Sequence, residues 1–395
     1  MKKTNYMEII GILSLSLLIT STMAVSGGMP EIIEEFCVNS SSIYTRSTIE
    51  LMMSIPGFSI MVIIALTPIL TRYIKERLMI GSGLLLIGIA GTIPVFVSSF
   101  PLIFISRIFL GIGIGLVNTL AVTLIGERFD GTLRQKLQGL RCSMETLGEA
   151  SLIFIAGQLL VFGWNYAFLV YGFAFVILAL YWFFVPETKS DQAKTVDIAE
   201  ATAAKYKLNR HDAWIMIKNA LLGGLLVSTL TSNALRISSF VVESEFGTAV
   251  DGATVLSISI FAGFIGGLCF GKLLQTVPKL LLPVSCIFMT VGFIILVMSG
   301  SLATVAAGAS ICGFFSTIAL SYMFNALSDQ LPVEALTTGN AVVLVGCNLG
   351  STVAPVILKA VGLIDSSLAA GFLAYGAAYL CLGLGIILFN LKQKH

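Results

Sequence analysis

Charge is scarce in this chain: only 11% of its 395 residues are Asp, Glu, Lys or Arg. Histidine is scarcer still. His211 and His395 are the only two, and both fall outside the long apolar stretches. An intramembrane metalloprotease or acyltransferase needs clusters of His, Asp and Glu within its spans, and no His-Glu-x-x-His run occurs. A membrane-embedded serine protease lacks its histidine for the same reason. No Gly-x-x-x-x-Gly-Lys-Ser/Thr run is present, which argues against an ATP site of the phosphate-loop type. Six of the seven cysteines (Cys142, Cys269, Cys286, Cys312, Cys347 and Cys381) lie in or at the ends of apolar stretches and only Cys37 lies outside, so no disulfide framework is implied. A formal net charge of +2 carries no nucleic-acid signal. No catalytic residue, metal site or cofactor is indicated.

What the chain has is apolar length. About twelve stretches of close to 20 residues follow one another from Ile9 to Asn390, and the mean hydropathy is +0.96. About 20 apolar residues in a helix cross the hydrocarbon core of a bilayer. The expected spans are 7–29, 46–70, 78–97, 102–125, 139–161, 165–185, 213–240, 253–275, 280–299, 302–327, 335–358 and 367–390. Backbone groups in lipid must bond within their own segment, and these stretches are too long and too evenly apolar for barrel strands. The expectation is an all-α, multi-pass membrane protein with twelve transmembrane helices. The first stretch follows Lys2 and Lys3 but runs past Val25, longer than the apolar core of a signal peptide, so it is read as a retained helix.

Lysine and arginine set the orientation. Of 23 basic residues, all but Arg46, Arg107, Arg236 and Lys359 fall on one side. The opposite loops carry Glu31, Glu34, Glu35, Glu243, Glu245, Asp251 and Asp365. By the positive-inside rule both termini are cytoplasmic.

A charged interruption from Pro186 to Asp212 separates six spans from six, and Val196–Leu208 within it can form a short surface helix. The expected organisation is an N-terminal bundle (1–187), a cytoplasmic linker (188–212) and a C-terminal bundle (213–395). The halves repeat weakly: Gly111 and Gly313 are 202 positions apart, as are Gly148 and Gly350. Two such pseudo-symmetric six-helix bundles place a substrate site near mid-membrane between parallel repeats.

Several motifs then point one way. Arg107-Ile-Phe-Leu-Gly111-Ile-Gly113-Ile-Gly115 in the fourth span matches an RxxxGxGxG signature. Gly163-Trp164-Asn165-Tyr166-Ala167-Phe168 opens the sixth span, with Asn165 where Arg is usual. Pro186-Glu187-Thr188 ends it. With the six-plus-six layout, the chain resembles the major facilitator superfamily, in its twelve-helix bacterial form, over essentially its whole length. Two departures stand out. The loop after the second span, Thr67 to Arg77, reads TPILTRYIKER, keeping Arg72, Lys75 and Arg77 but lacking the family's glycines and its Asp. The fifth span has Leu147-Gly148-Glu149-Ala150 in place of the Gly-Pro-x-x-Gly-Gly antiporter signature. The resemblance therefore leaves a drug-efflux subfamily open.

Charges within a bilayer are costly, about 2.5–3.5 kcal/mol each on insertion scales. Here they are Glu50, Arg107, Glu145, Glu149 and Arg236. Glu149 is the leading proton-coupling candidate. It lies about ten residues, or roughly 15 Å, into the fifth span. A carboxyl group withdrawn from water can take up and release a proton near neutral pH. Glu145 lies one turn earlier and is placed to pair with Arg141 at i, i+4. The resemblance places Arg107 where proton coupling is common, with a structural pair to a neighbouring acid as the alternative. Glu50 and Arg46, four apart, read as a structural or solvated pair before a substrate contact. Arg236 either meets an anionic substrate or caps its helix toward Glu243. The resemblance also implies that spans 1, 4, 7 and 10 line the cavity. That brings in Ser21, Met23, Asn118, Asn233, Tyr322 and Asn325, although a buried amide more commonly bonds between helices, as would Asn348. The glycine rows Gly111 to Gly115 and Gly263-x-x-x-Gly267-x-x-x-Gly271 read as close-packing faces. Pro56, Pro68, Pro94 and Pro355 can kink their spans.

The expected function is secondary active transport of a small organic solute by alternating access, with protons as coupling ion. Within it, efflux of amphipathic compounds leads, because the cavity spans carry many Phe and Met and few fixed charges. Uptake or exchange of a small organic anion is the alternative, favoured by Arg107 and Arg236. The expected partners are the small-molecule substrate, protons and membrane lipid. The expected location is a bacterial cytoplasmic membrane, and the resemblance implies a monomer.

Overall fold

The computed structural model describes residues 6–39, 44–129, 131–186, 209–278 and 280–392. The segment 196–208, read above as a short helix, lies outside these, as do Lys2, Lys3, Glu187 and Thr188. Among the described residues the chain is helical and contains no strand.

The helices are α1 (Tyr6–Leu15), α2 (Met29–Ile33), α3 (Arg46–Tyr73), α4 (Glu76–Phe96), α5 (Phe100–Arg128), α6 (Gly131–Leu159), α7 (Phe173–Phe184), α8 (Arg210–Glu243), α9 (Ala249–Thr276), α10 (Leu281–Val297), α11 (Leu302–Gln330), α12 (Val333–Gly362) and α13 (Leu368–Lys392). Among the described residues, ten helices are long and apolar enough to cross a membrane. A bent pair, Tyr6–Leu18 with Ser21–Val38, makes an eleventh span if taken as one, and Leu281–Val297 is a shorter apolar helix. Each of the twelve apolar stretches of the sequence falls on one of these.

The first stretch departs from the expected single helix over 7–29. Its two parts meet at 47°, and it extends to Val38. No proline stands at the break; Pro30 comes later. The intervening residues are rich in Ser, Thr and Gly and form only short 3₁₀ turns at Ser16–Leu18, Ser21–Met23 and Ser26–Gly28. Ser14 and Ser21 turn their hydroxyls onto their own chain, to the carbonyls of Gly11 and Leu18. Such local bonding competes with the helical ladder. Pro94 and Pro355, by contrast, lie inside continuous helices.

Contacts sort the described residues into two compact units. Residues up to Val25 and from Met52 to Pro186 form one; those between Ser26 and Leu51 and from Asn209 onward form the other. In the first unit, Arg128 pairs with Glu8 at 2.7 Å and donates to the Pro186 carbonyl at 3.1 Å. Three helix ends expected on the cytoplasmic side are thereby tied together.

The glycine landmarks do the same work in each unit. A Cβ on Gly111 would lie 2.8 Å from Pro56 Cα in α3, and one on Gly313 would strike the Ser259 backbone in α9. Gly148 of α6 abuts the Leu17 backbone, and Gly350 of α12 abuts the Gly224 backbone in α8. The weak internal repeat of the sequence is therefore a repeat of close helix crossings. In the Gly263–Gly267–Gly271 row the expected packing face fades along the helix. A Cβ on Gly263 would meet Gly313 O at 3.0 Å, whereas one on Gly271 would meet nothing within 4 Å.

Candidate functional site

Arg107 is fully buried in the first unit, on α5. Its Nη1 donates to Tyr171 Oη at 2.9 Å and its Nη2 to the Thr22 carbonyl at 3.1 Å. Met53 Sδ lies 3.4 Å from Nη2. The guanidinium carbon stands 5.6 Å from the ring centroids of both Phe168 and Tyr171. The acid partner that sequence reasoning allowed is not there: among the described residues Arg107 has no carboxylate. A planar, weakly hydrated guanidinium tolerates this setting because carbonyl, phenol and ring faces replace water around it. Tyr171 in turn donates to the Ser21 carbonyl at 3.0 Å. Ser21 and Thr22 belong to the turns after the break in the first span; the Ser21 carbonyl also accepts from the Ala24 N–H at 3.0 Å, so Tyr171 adds a second bond to it, while Arg107 bonds the Thr22 carbonyl.

The other side of the break rests on α6. Thr20 Oγ1 donates to the Glu145 carbonyl at 2.9 Å, and Gly148 lets the Leu17 backbone approach. Arg141 pairs with Glu145 as the i, i+4 spacing anticipated, and its Nε donates to Gln138 Oε1 at 3.2 Å. Glu149, one turn further, is half-buried and has no hydrogen bond or ion pair among the described residues. Arg141 is thus engaged by the first acid of the row, and the second is left unneutralised. Arg107 and Glu149 share no hydrogen bond or ion pair, but both elements that carry them close on the Leu17–Thr22 stretch.

In the second unit, Glu50 is fully buried at the start of α3. Arg236 Nε of α8 lies 2.8 Å from Glu50 Oε1, and its Nη2 donates to Oε2 at 3.5 Å. Arg46 Nε also approaches Glu50, at 3.5 Å, and its Nη1 pairs with Glu243 at 2.9 Å. One expectation changes here. Arg236 does not cap its helix toward Glu243, because Arg46 holds that acid. The Arg46–Glu50 pair is the structural one the spacing allowed: the Glu50 carboxylate is buried between two guanidinium groups, while Arg46 itself stays partly exposed.

A sequence model of the Major Facilitator Superfamily matches residues 11–355. The chain belongs to the major facilitator superfamily. Solved structures with the same fold include a D-xylose-proton symporter (16% identity, TM-score 0.78, covering 96% of this chain and 97% of that one). The inward-open xylose transporter XylE from E. coli is similar (15%, 0.73, covering 96% and 94%). So is a POT family transporter in complex with 5-aminolevulinic acid (15%, 0.76, covering 97% and 96%). At these identities the likeness is one of fold. No curated protein matches the sequence. As a member of this superfamily the chain is a membrane transporter and not an enzyme.

The remaining candidates of this superfamily member are dispersed. Asn233, one turn before Arg236, is 6% exposed, and its Oδ1 is buried without a hydrogen-bond partner among the described residues. Asn325 donates to Asp329 on its own helix at 3.1 Å, and Asn348 to Leu344 O at 2.9 Å; among the described residues neither makes the interhelical bond expected of a membrane amide. Asn118 and Tyr322 are half-buried. Met23 is buried. Sequence reasoning missed two tyrosines. Tyr171 binds Arg107, and Tyr375 of α13 bonds Ser228 at 2.6 Å and Ser232 at 2.9 Å on α8. A phenol inside an aromatic-rich span looks like packing until its partner is known. The Ser and Thr clustered along Ser228–Ser239 were the available signal.

Proposed function

We propose that this transporter is a proton-coupled carrier that exports amphipathic organic compounds by alternating access, with Glu149 as the group that gains and loses the proton. The observation that carries this is the isolation of Glu149. Glu145 and Glu50 have arginine partners, while among the described residues Glu149 has none, beside the break of the first span. An intramembrane acid without a counter-ion is a proton-relay candidate by default. Its neighbourhood adds a means of transmission, because Gly148 and the Glu145 carbonyl both touch the broken segment. The solute is small and organic, the carrier works as a monomer in a bacterial cytoplasmic membrane, and protons are the coupling ion. Twelve spans in two six-helix bundles (1–187 and 213–395), with both termini cytoplasmic, complete the arrangement.

The organic-anion alternative needs a cation free to meet substrate. Arg236 is engaged by Glu50, and Arg107 by Tyr171 and Thr22. That ranks export of amphipathic compounds ahead.

The test uses proteoliposomes loaded with a pH-sensitive dye and challenged with a panel of lipophilic cations and organic anions. A lipophilic cation should drive proton movement in the unsubstituted protein, and Glu149→Gln should abolish it while leaving a folded protein. Undiminished proton movement in Glu149→Gln would overturn the assignment to Glu149. A response to organic anions alone would overturn the export of amphipathic compounds.

A further inference from the structure

The outward faces of α4 and α7 enclose an apolar groove that the transport cycle proposed above does not use. Leu78, Gly81, Leu85, Phe175, Leu178 and Trp182 line it, and its volume is about 480 Å³. Gly81 leaves it open, since a Cβ there would already meet the Trp182 ring at 3.4 Å. From Leu78 to Leu85 the groove follows α4 for two turns, roughly 10 Å.

Arg77 stands at one end. Its guanidinium carbon lies 4.5 Å from the Trp182 ring centroid, and its Nη2 donates to the Trp182 carbonyl at 2.8 Å. Its Nε is buried without a hydrogen-bond partner among the described residues. Among the described residues no carboxylate pairs with it. The cation is therefore fixed in place, half-exposed and not neutralised. It sits at the helix ends that the basic residues mark as cytoplasmic.

We propose that this groove binds an anionic phospholipid, one acyl chain lying between α4 and α7 and the headgroup phosphate on Arg77. The shape fits that occupant: an apolar channel directed into the membrane ends in a positive charge at one rim. Tryptophan favours the headgroup level, where its ring is apolar and its N–H is wet. A guanidinium matches a phosphate through two parallel hydrogen bonds, and stacking on Trp182 holds the fork in advance, so less freedom is lost on binding. Basic pockets between membrane helices on the cytoplasmic side favour anionic headgroups. A zwitterionic lipid offers the same chain, but its ammonium offsets the phosphate. A protein helix seated in the groove has no need of the cation.

The full-length protein with Trp164→Phe and Trp214→Phe keeps Trp182 as its only tryptophan. It is reconstituted in phosphatidylcholine nanodiscs containing a minor fraction of either brominated phosphatidylglycerol or brominated phosphatidylcholine. Brominated phosphatidylglycerol should quench Trp182 emission more strongly than the same fraction of brominated phosphatidylcholine. Arg77→Gln should abolish that difference, Arg77→Lys should keep part of it, and Gly81→Leu should lower quenching by phosphatidylglycerol. Equal quenching by the two lipids, or a preference that survives Arg77→Gln, would overturn the proposal.

Discussion

Tyr171 stands between Arg107 and the first span: its hydroxyl accepts from Arg107 Nη1 at 2.9 Å and donates to the Ser21 carbonyl at 3.0 Å. One phenol thus joins α5, the segment leading into α7, and the turns that follow the break. An unsatisfied carbonyl in lipid costs several kcal/mol. The broken helix and the buried guanidinium therefore stabilise each other. The break exposes acceptors, and the acceptors replace the water that Arg107 has lost.

Removing the hydroxyl alone tests this. Tyr171→Phe keeps the ring against Gly91 and Phe168 but leaves Arg107 Nη1 without its acceptor and the Ser21 carbonyl with the Ala24 N–H alone. A loss of about 1–3 kcal/mol is expected, the usual consequence of orphaning buried polar groups. Thermal unfolding in detergent measures it. A Tm equal to that of the unsubstituted protein would show that the phenol is packing only.

Glu50 between Arg46 and Arg236 makes a second test. Glu50→Gln leaves two guanidinium groups facing each other with one carboxylate fewer, and breaking a buried pair costs about 3–5 kcal/mol. The double substitution Glu50→Leu with Arg236→Met removes both charges of the buried pair and should recover most of that loss. Denaturation of Glu50→Leu, Arg236→Met and the double variant completes the cycle. Additive losses would mean that the pair is not coupled.

The glycines separate by what surrounds them. Gly148→Ala drives a methyl group into the Leu17 backbone and should destabilise by about 1–3 kcal/mol, the range of overpacking. Gly271→Ala adds a methyl group to open space within a helix and should be neutral or stabilising by about 0.5 kcal/mol. Parallel melting curves decide between these and a uniform effect of glycine replacement.

Orientation is testable through the free thiols. In single-cysteine variants, Cys37, at the end of the first span beside Glu34 and Glu35, should react with a membrane-impermeant maleimide on intact cells. Cys142, exposed near the start of the apolar stretch 139–161 that α6 carries, should react only after permeabilisation. The buried Cys286 and Cys312 should stay unmodified in both conditions. The reverse labelling of Cys37 and Cys142 would invert the topology.

Residue order by itself determined the class of this protein, its helices and much of their spacing. Apolar length, basic loops and the Arg107–Gly115 motif are properties of neighbouring residues and can be read along the chain. The pairs Arg46–Glu50 and Arg141–Glu145 were legible for the same reason, since i, i+4 spacing brings side chains together on any helix. The glycines at 111, 148, 313 and 350 announced close crossings without naming what would cross. Tertiary structure alone decided the rest. Arg236 found Glu50 across 186 positions of sequence, while Glu243, nearer along the chain, went to Arg46. Arg107 found a tyrosine and a backbone carbonyl where an acid seemed equally suitable. The first span broke without a proline, where Arg107 of α5 and Tyr171 bond the Thr22 and Ser21 carbonyls and Gly148 of α6 lets the Leu17 backbone approach. These are consequences of packing: a buried charge is satisfied by whatever the fold places within about 3 Å, and no local pattern encodes which group that will be.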